Sequence, residues 1–319
     1  MTVTVGLAGD TMLGRSVART LATTPPQTLV APEVRDFLSQ ADLVVLNLEC
    51  CISQRGRPWE APGKPFFFRA PPRAVELLAL LGIDCVTLAN NHALDYGFDA
   101  LADTLEHLAA AGIAAVGAGP DLERARRPVV LAAGGLRVAV VGVTDHPPDF
   151  AAGPDRPGVA FADLGRQVPD WLLETVRAAD AEVRLVTPHW GPNLTRAPVG
   201  HVRRAAAALE GAGATLVAGH SAHVPHGVAG PVLYDLGDFL DDYRVDPELR
   251  NDLGLLFLVT LDGRGPVRLE ALPLKLEFCH TRPATGSDAV WMRRRFRAAC
   301  AALGTTVREE ADRLTINWR

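Results

Sequence analysis

Five short segments carry side chains that could hold a metal ion or move a proton: Gly9-Asp10-Thr11-Met12, Asn47-Leu48-Glu49, Asn90-Asn91-His92, Pro188-His189-Trp190-Gly191 and Gly219-His220-Ser221-Ala222-His223. Asp10, Glu49, Asn91, His189, His220 and His223 offer oxygen and nitrogen donors with no thiolate. Such a set suits Mn, Zn or Fe, with Mg as a further possibility. Glu49 follows the apolar run LVVLNL, where an acid is costly unless paired or metal-bound. Asp10 can bind a metal or act as a base, and a lone Asp after a strand also serves as a helix N-cap. His92 leaves its segment beside two amides and can hold or give a proton near neutral pH. His220, His223 and His226 fall within seven residues. Imidazoles crowded together after an apolar strand are costly unless they share an ion or an anion.

An apolar stretch precedes each segment: VTVGLA, LVVL, CVTLA, VRLVT and ATLVA. Parallel strands buried on both faces have this pattern. In α/β sheets, ligands and reacting groups gather beyond the carboxyl ends of such strands. Residues scattered from 10 to 223 are therefore expected at one rim. The periodicity predicts strands over 2–8, 42–48, 84–89, 113–116, 182–187 and 214–218. Helices are expected over 13–21, 73–81, 97–111, 164–179 and 201–210, with 23–32 as a loop. Two β runs at 128–133 and 136–143 flank Gly134-Gly135 and read as a hairpin. From Pro231 the pattern changes, and 232–236, 255–261 and 267–276 read as successive antiparallel strands. A helix over 288–303 and a strand over 314–318 end the chain. Alternating βα units followed by a β-meander predict two packed sheets with helices outside. Residues 53–72 hold five prolines together with Arg55, Arg57, Trp59, Lys64, Arg69 and three consecutive Phe. A loop of that length is often functional, so it reads either as a cover over substrate or as a packed excursion.

The chain has 319 residues, enough for a sizeable core. Lys and Arg number 32 against 37 Asp and Glu, a net charge of −5. That excludes a general nucleic-acid footprint, and the cluster Arg293, Arg294, Arg295 and Arg297 reads as a solvated helix face. Five cysteines without paired spacing point to reduced thiols in a reducing compartment. The sequence opens straight into a strand, with no basic n-region before an apolar h-region. No stretch approaches the roughly 18–20 apolar residues that span a bilayer. The expectation is a cytoplasmic protein without a membrane anchor.

The order Gly-Asp-x-Met-Leu-Gly-Arg, Asn-Leu-Glu, Ala-Asn-Asn-His-Ala-Leu-Asp-Tyr-Gly, His-Trp-Gly, Gly-His-x-x-His-Val and Leu-Gly-Asp-Phe resembles the CapA family of poly-gamma-glutamate capsule synthesis. That family belongs to the calcineurin-like metallophosphoesterase superfamily. The resemblance covers about residues 3–240. It implies a four-layer α/β/β/α sandwich of two mixed sheets. One domain would span 1–319, with the metal-site core at about 3–240 and the strands and helix of 254–319 completing the sandwich. It also implies that Asp10 binds one metal, that Glu49 bridges, that Asn91, His189 and His220 bind the second metal, and that His223 binds the first. His92 becomes the proton donor beside the site. Arg15, Asn90, Trp190 and His226 flank these positions and are the candidate substrate contacts. Two departures stand out. The wider superfamily has Asp-x-His in the first motif, where Met12 stands here, and its last motif is His-x-His rather than His-x-x-His. One ion, or two of unequal affinity, is therefore expected.

These readings point to a metal-dependent hydrolase that uses a metal-activated water on a phosphoester or an anionic, γ-glutamyl-like amide. The partner would be an anionic small molecule or peptide, and no nucleic acid. The alternatives are a peptide Cα epimerase, with Asp10 and one of His92, His220 or His223 as the acid/base pair, and a non-catalytic capsule-assembly or binding protein. The sequence leaves the oligomeric state open.

Overall fold

A computed structural model describes residues 1–60 and 63–318. Two sheets face each other. Edge to edge, the first runs Arg308–Glu310, Arg313–Asn317, Gly265–Glu277, Leu253–Asp262, Val3–Thr11, Leu43–Leu48, Cys85–Thr87 and Ala114–Val116. Two further strands join it: Asp238–Leu240 pairs with Val3–Thr11, and His280–Pro283 pairs with Gly265–Glu277. The second sheet runs Val228–Ala229, Val232–Leu233, Leu216–Ala218, Val183–His189, Leu136–Thr144 and Val129–Ala133. Both are mixed. In the first, the strands from Val3–Thr11 to Ala114–Val116 are parallel and those from Leu253–Asp262 onward are antiparallel. In the second, a parallel centre is flanked by an antiparallel pair at each end.

The period-two pattern explains the layering. Leu43 and Val45 point into the space between the sheets, whereas Val44 and Leu46 point outward. There they meet Val17 and Leu21 of the helix Arg15–Thr23, Val34 and Phe37 of Pro32–Leu38, and Leu77 and Leu78 of Ala74–Leu80. In the second sheet Val138, Val140, Val183 and Leu185 face inward. Val141, Val143 and Val186 face the helices Asp170–Ala178 and Gly200–Gly211. The result is the expected α/β/β/α sandwich. Each aliphatic side chain removed from water contributes about 1.5–3 kcal/mol. The last helix, Gly286–Ala301, inserts Met292, Phe296 and Cys300 into the inter-sheet core.

Several boundaries differ from the sequence reading. The run 232–236 does not begin an antiparallel meander. Val232–Leu233 pairs in parallel with Leu216–Ala218 in the second sheet. The chain then turns at Gly237 (φ +75°) and crosses to the first sheet as Asp238–Leu240. A left-handed residue there breaks what reads as one apolar strand. The helix expected from 164 starts at Asp170, because Val168 precedes Pro169 and is biased towards extended backbone. A helix at Pro32–Leu38 follows the stretch read as loop, with Pro at its first turn, where the missing N–H is harmless. All five cysteines are free and buried. Among the described residues, no helix is long and apolar enough to cross a membrane.

Candidate metal centre

Asp10 lies near the end of Val3–Thr11, where the register against Leu43–Leu48 shifts between Ala8 and Asp10. Gly9 is thus an extra residue in the strand, a bulge that re-aims the next side chain. A Cβ on Gly9 would stand 1.9 Å from the Gly237 carbonyl oxygen, so only glycine lets the Asp10 N–H donate to that oxygen at 2.8 Å. Glu49 follows Leu43–Leu48 directly, and Asn91 and His92 sit in the turn after Cys85–Thr87. His189 is the last residue of Val183–His189 and forms a parallel bridge with His220. Ser221 (φ +108°) and His223 (φ +59°) adopt left-handed backbone. Strain of this kind in non-glycine residues is stored at functional sites, and here it curls the turn so that His223 returns to Asp10.

Five of the six candidate ligands, Asp10, Glu49, His189, His220 and His223, therefore converge from two sheets. His220 Nδ1 lies 3.1 Å from Asp10 Oδ1, and His223 Nδ1 lies 3.3 Å from Asp10 Oδ2. His189 Nε2 lies 3.9 Å from Glu49 Oε1. Asp10, Glu49, His189 and His220 are at most 1% exposed. Even so, Glu49 Oε1, His189 Nε2, His220 Nδ1 and Asn91 Oδ1 have no hydrogen-bond partner among the described residues. Buried polar atoms are normally satisfied, and the unpartnered atoms of Glu49, His189 and His220 beside Asp10 fit a shared cation. The ligand atoms of Asp10, Glu49 and His189 lie within 4.8 Å of one another, as do those of Asp10, His223 and Asp238. Asp10 is the residue common to both groups.

The charges are strongly coupled. Burial and the neighbouring Asp10 carboxylate push the Glu49 carboxyl well above the usual range. Burial also favours a neutral Asp10, but His220, His189 and His223 outweigh it and hold this carboxyl well below its ordinary value. Burial drives His189 well below the ordinary imidazole value. On His223 burial acts the same way, yet Glu49 and Asp10 outweigh it and the net shift is upward. The Tyr243 hydroxyl donates to Glu49 Oε2 at 3.1 Å, and Asn47 Nδ2 donates to Asp10 Oδ1 at 2.7 Å.

His92 stands beside this cluster. Its Nδ1 is 2.6 Å from Asp95 Oδ2, which also accepts the Phe68 N–H at 2.6 Å. Lys64 Nζ pairs with Asp95 Oδ1 at 3.0 Å and donates to the Asn91 carbonyl at 2.7 Å. The Phe68 ring lies against His92 with centroids 4.0 Å apart. Burial lowers the His92 pKa, with Asp95 opposing. The loop 53–72, of which 61 and 62 lie outside the described residues, thus builds the floor of the site through Lys64 and Phe68. Phe66, 53% exposed, is left at the surface.

Residues 4–243 match the family described as Bacterial capsule synthesis protein PGA_cap. The chain belongs to this family. It is 31% identical over 364 aligned positions to a probable polyglutamine synthesis accessory protein of Mycobacterium tuberculosis, covering 98% of this chain and 95% of that one. It is 27% identical to the capsule biosynthesis protein CapA of Bacillus anthracis, over 89% of this chain and 70% of that one. Against the PGA biosynthesis protein CapA of Bacillus subtilis, identity is 29% over 75% of this chain and 63% of that one.

In this PGA_cap protein the site opens into a cleft of about 620 Å³, with Arg15, Phe66, Phe68, His92, His223 and Tyr243 among its walls. Arg15 itself has left-handed backbone (φ +50°). Its guanidinium lies 5.5–5.9 Å from the rings of Phe66, Phe68 and Tyr243 and pairs with Asp242 at 3.0 Å. Three of the residues read as substrate contacts are placed otherwise. Asn90 is fully buried and is consumed as scaffold: its Nδ2 donates to Asn47 Oδ1 and to the Leu48 carbonyl, and its Oδ1 accepts the His92 N–H. Trp190 is 2% exposed and donates Nε1–H to the Tyr234 carbonyl. His226 bonds the Thr195 carbonyl through Nε2, and burial lowers its pKa to about 4. Trp190 and His226 line a small crevice with Val199 and Tyr234, outside the cleft. The sequence reading gave no role in the site to Asp95, Asp238 or Tyr243, and named Lys64 only as part of the loop 53–72. The spacing Asp235, Asp238, Asp241, Asp242 was the available signal, since four acids so close to an apolar run are costly to bury without a cation.

Proposed function

We propose that this protein is a metal-dependent hydrolase of polyglutamate capsule chemistry, acting on an anionic γ-glutamyl-type amide or a phosphoester. The observation that carries this reading is the set of buried, unpartnered ligand atoms on Glu49, His189 and His220, grouped around Asp10 beside the His92–Asp95 pair. Asp10, Glu49, Asn91, His189, His220 and His223 would hold one or two divalent ions. Such an ion, when bound, supplies a Lewis acid and lowers the pKa of its water from about 15.7 towards 7.

The remaining tasks fall to the chain's own groups. Asp95 engages His92 Nδ1 and so fixes the ring, leaving Nε2 to exchange a proton with the leaving amine or alcohol. The lowered pKa of His92 makes its protonated form a stronger acid, suited to a poor leaving group. Arg15, backed by Asp242, offers its guanidinium to a substrate carboxylate or phosphate. Phe66, Phe68 and Tyr243 form an apolar wall that limits water around that contact. The capsule and PGA biosynthesis named for its relatives favours a polyglutamyl substrate for this chain.

The test begins with metal content. Elemental mass spectrometry of the purified protein should find one or two transition ions per chain, lost in a His220→Ala/His223→Ala variant. The loaded protein is then incubated with γ-glutamyl peptides and phosphodiesters in deuterated water. New amine or phosphate supports hydrolysis, whereas deuterium entering an uncleaved peptide would replace hydrolysis with epimerisation. A wild type that neither carries nor takes up metal would sink the reading.

A further inference from the structure

The position two residues after Asp10, where the wider superfamily carries an imidazole, is occupied by Met12. This side chain does not reach the site. It is fully buried in the core between the first sheet and its helices, and its Sδ accepts the Gly14 N–H at 3.1 Å. One ligand position near Asp10 is therefore not filled from the first motif.

A different strand brings a carboxylate to that place. Asp238–Leu240 runs parallel to Val3–Thr11 with Asp238 in register with Asp10. Asp238 Oδ1 is 2.8 Å from His223 Nδ1, which is itself 3.3 Å from Asp10 Oδ2. Asp238 is 1% exposed, no N–H or O–H among the described residues donates to its Oδ2, and the Asp241 carboxyl lies within hydrogen-bonding reach of the Asp238 side chain. With ligand bonds of about 2.1 Å, neighbouring donor atoms stand roughly 3.0 Å apart in an octahedron and roughly 3.4 Å in a tetrahedron. These two separations, 2.8 and 3.3 Å, match that spacing. Asp238 is surrounded by further acids, Asp10, Asp235 and Asp241. A hydrogen bond to one imidazole does little to offset that much buried negative charge.

We propose that Asp238 is a metal ligand that completes, with Asp10 and His223, a cation position distinct from that of Glu49, Asn91, His189 and His220, in place of the donor that Met12 does not supply. The inference rests on the metal-dependent reading above and adds a residue to it. Two carboxylates and one imidazole make this the harder position, suited to Mn or Mg, whereas the imidazole-richer position suits Zn.

Native mass spectrometry during Mn titration tests this, with Asp238→Asn as the decisive variant. Asn keeps an acceptor oxygen for the His223 ring N–H but removes the carboxylate charge, so a merely orienting role survives the change and a ligand role does not. The expected result is two Mn ions on the wild type, and on Asp238→Asn one ion at unchanged affinity with the second at least tenfold weaker. Two ions at unchanged affinity on Asp238→Asn overturn the inference. One ion on the wild type that is lost in Glu49→Gln but kept in Asp238→Asn overturns it and leaves the hydrolase reading standing. No ion on the wild type overturns both. Should Asp238→Asn fail to fold, electron paramagnetic resonance of the Mn-loaded wild type decides. A spin-coupled Mn pair is expected, and an isolated Mn signal overturns the inference.

Discussion

The two sheets contribute opposite chemistry to the rim. The first supplies oxygen: Asp10, Glu49 and Asn91, with Asp238 on the strand that crosses to it. The second supplies nitrogen: His189 and His220, then His223 from the turn that follows. Each half alone is electrostatically poor. In the oxygen half, burial and mutual repulsion push Glu49 and Asp238 towards the neutral form. In the nitrogen half, burial pushes His189 the same way, towards neutrality. Where the halves meet, Asp10 is held ionised by three imidazoles and His223 is drawn towards its charged form by Glu49 and Asp10. The lesson is that the candidate ligand set exists only at the seam of the sandwich. Under the metal-dependent reading, cation affinity would be coupled to sheet packing, as in sites where binding free energy is also folding free energy.

The largest expected effect comes from the residue both groups share. Loss of an outer-shell partner already costs metal sites 10–100-fold in affinity. Asp10→Ala removes a ligand common to both groups, so Mn affinity should fall by more than about 100-fold at every position. His189→Ala, which touches one group, should leave the other ion bound. Isothermal calorimetry on the two variants would break the comparison if His189→Ala proved the more damaging, because the nitrogen half would then dominate alone.

A pH experiment sharpens the contrast inside the nitrogen half. His223 sits among carboxylates and shifts upward. His226, three residues on, is depressed to about 4, first by burial, with the Thr195 carbonyl opposing and Arg295 adding to the depression. Between pH 6.5 and about 4 the unfolded chain carries a proton on this imidazole that the folded chain lacks. Stability tied to His226 is therefore complete above the unfolded pKa and is lost as pH falls towards 4. The full window corresponds to about 3 kcal/mol. His226→Gln removes the titration and keeps a donor for the Thr195 carbonyl. Urea unfolding in the presence of chelator should show the wild type losing about 3 kcal/mol more than the variant between pH 7 and 4. Parallel curves would mean that His226 is already paired or solvated.

What was legible in the sequence is what is local. Runs such as LVVLNL and VRLVT carry their own period and burial, so the strands and the two-sheet architecture could be read from them. The ligand-type residues at their carboxyl ends followed, because chain direction fixes which end of a parallel strand faces the rim. Facing, however, is not a local property. Asn90, Trp190 and His226 have the residue types of substrate contacts, but hydrogen bonds to Asn47, Leu48, Tyr234 and Thr195 hold them inside the scaffold. Asp238 escaped for the converse reason. Its strand is three residues long and gains its place only through pairing with Val3–Thr11 across the turn at Gly237. Lys64 lies in a proline-rich loop, where no periodicity indicates that its ammonium reaches Asp95.

That lysine gives the smallest of the expected effects and tests whether the loop belongs to the oxygen half. Lys64 is 14% exposed at its side chain and holds the Asn91 carbonyl and Asp95 Oδ1 together. Lys64→Met keeps an unbranched side chain of similar length and deletes the ammonium, with its placement over the Phe67 and Phe150 rings. Asp95 keeps the Phe68 N–H and His92 Nδ1 but loses its countercharge, and the Asn91 carbonyl loses a donor. Leaving buried polar groups unmet in this way costs about 1–3 kcal/mol. Thermal unfolding should show that loss, and the His92 ring resonances in NMR should shift while those of His226 stay in place. If instead stability is unchanged and both imidazoles are unmoved, residues 63–72 act as a cover over the cleft, and the oxygen half of the site stands on the first sheet alone.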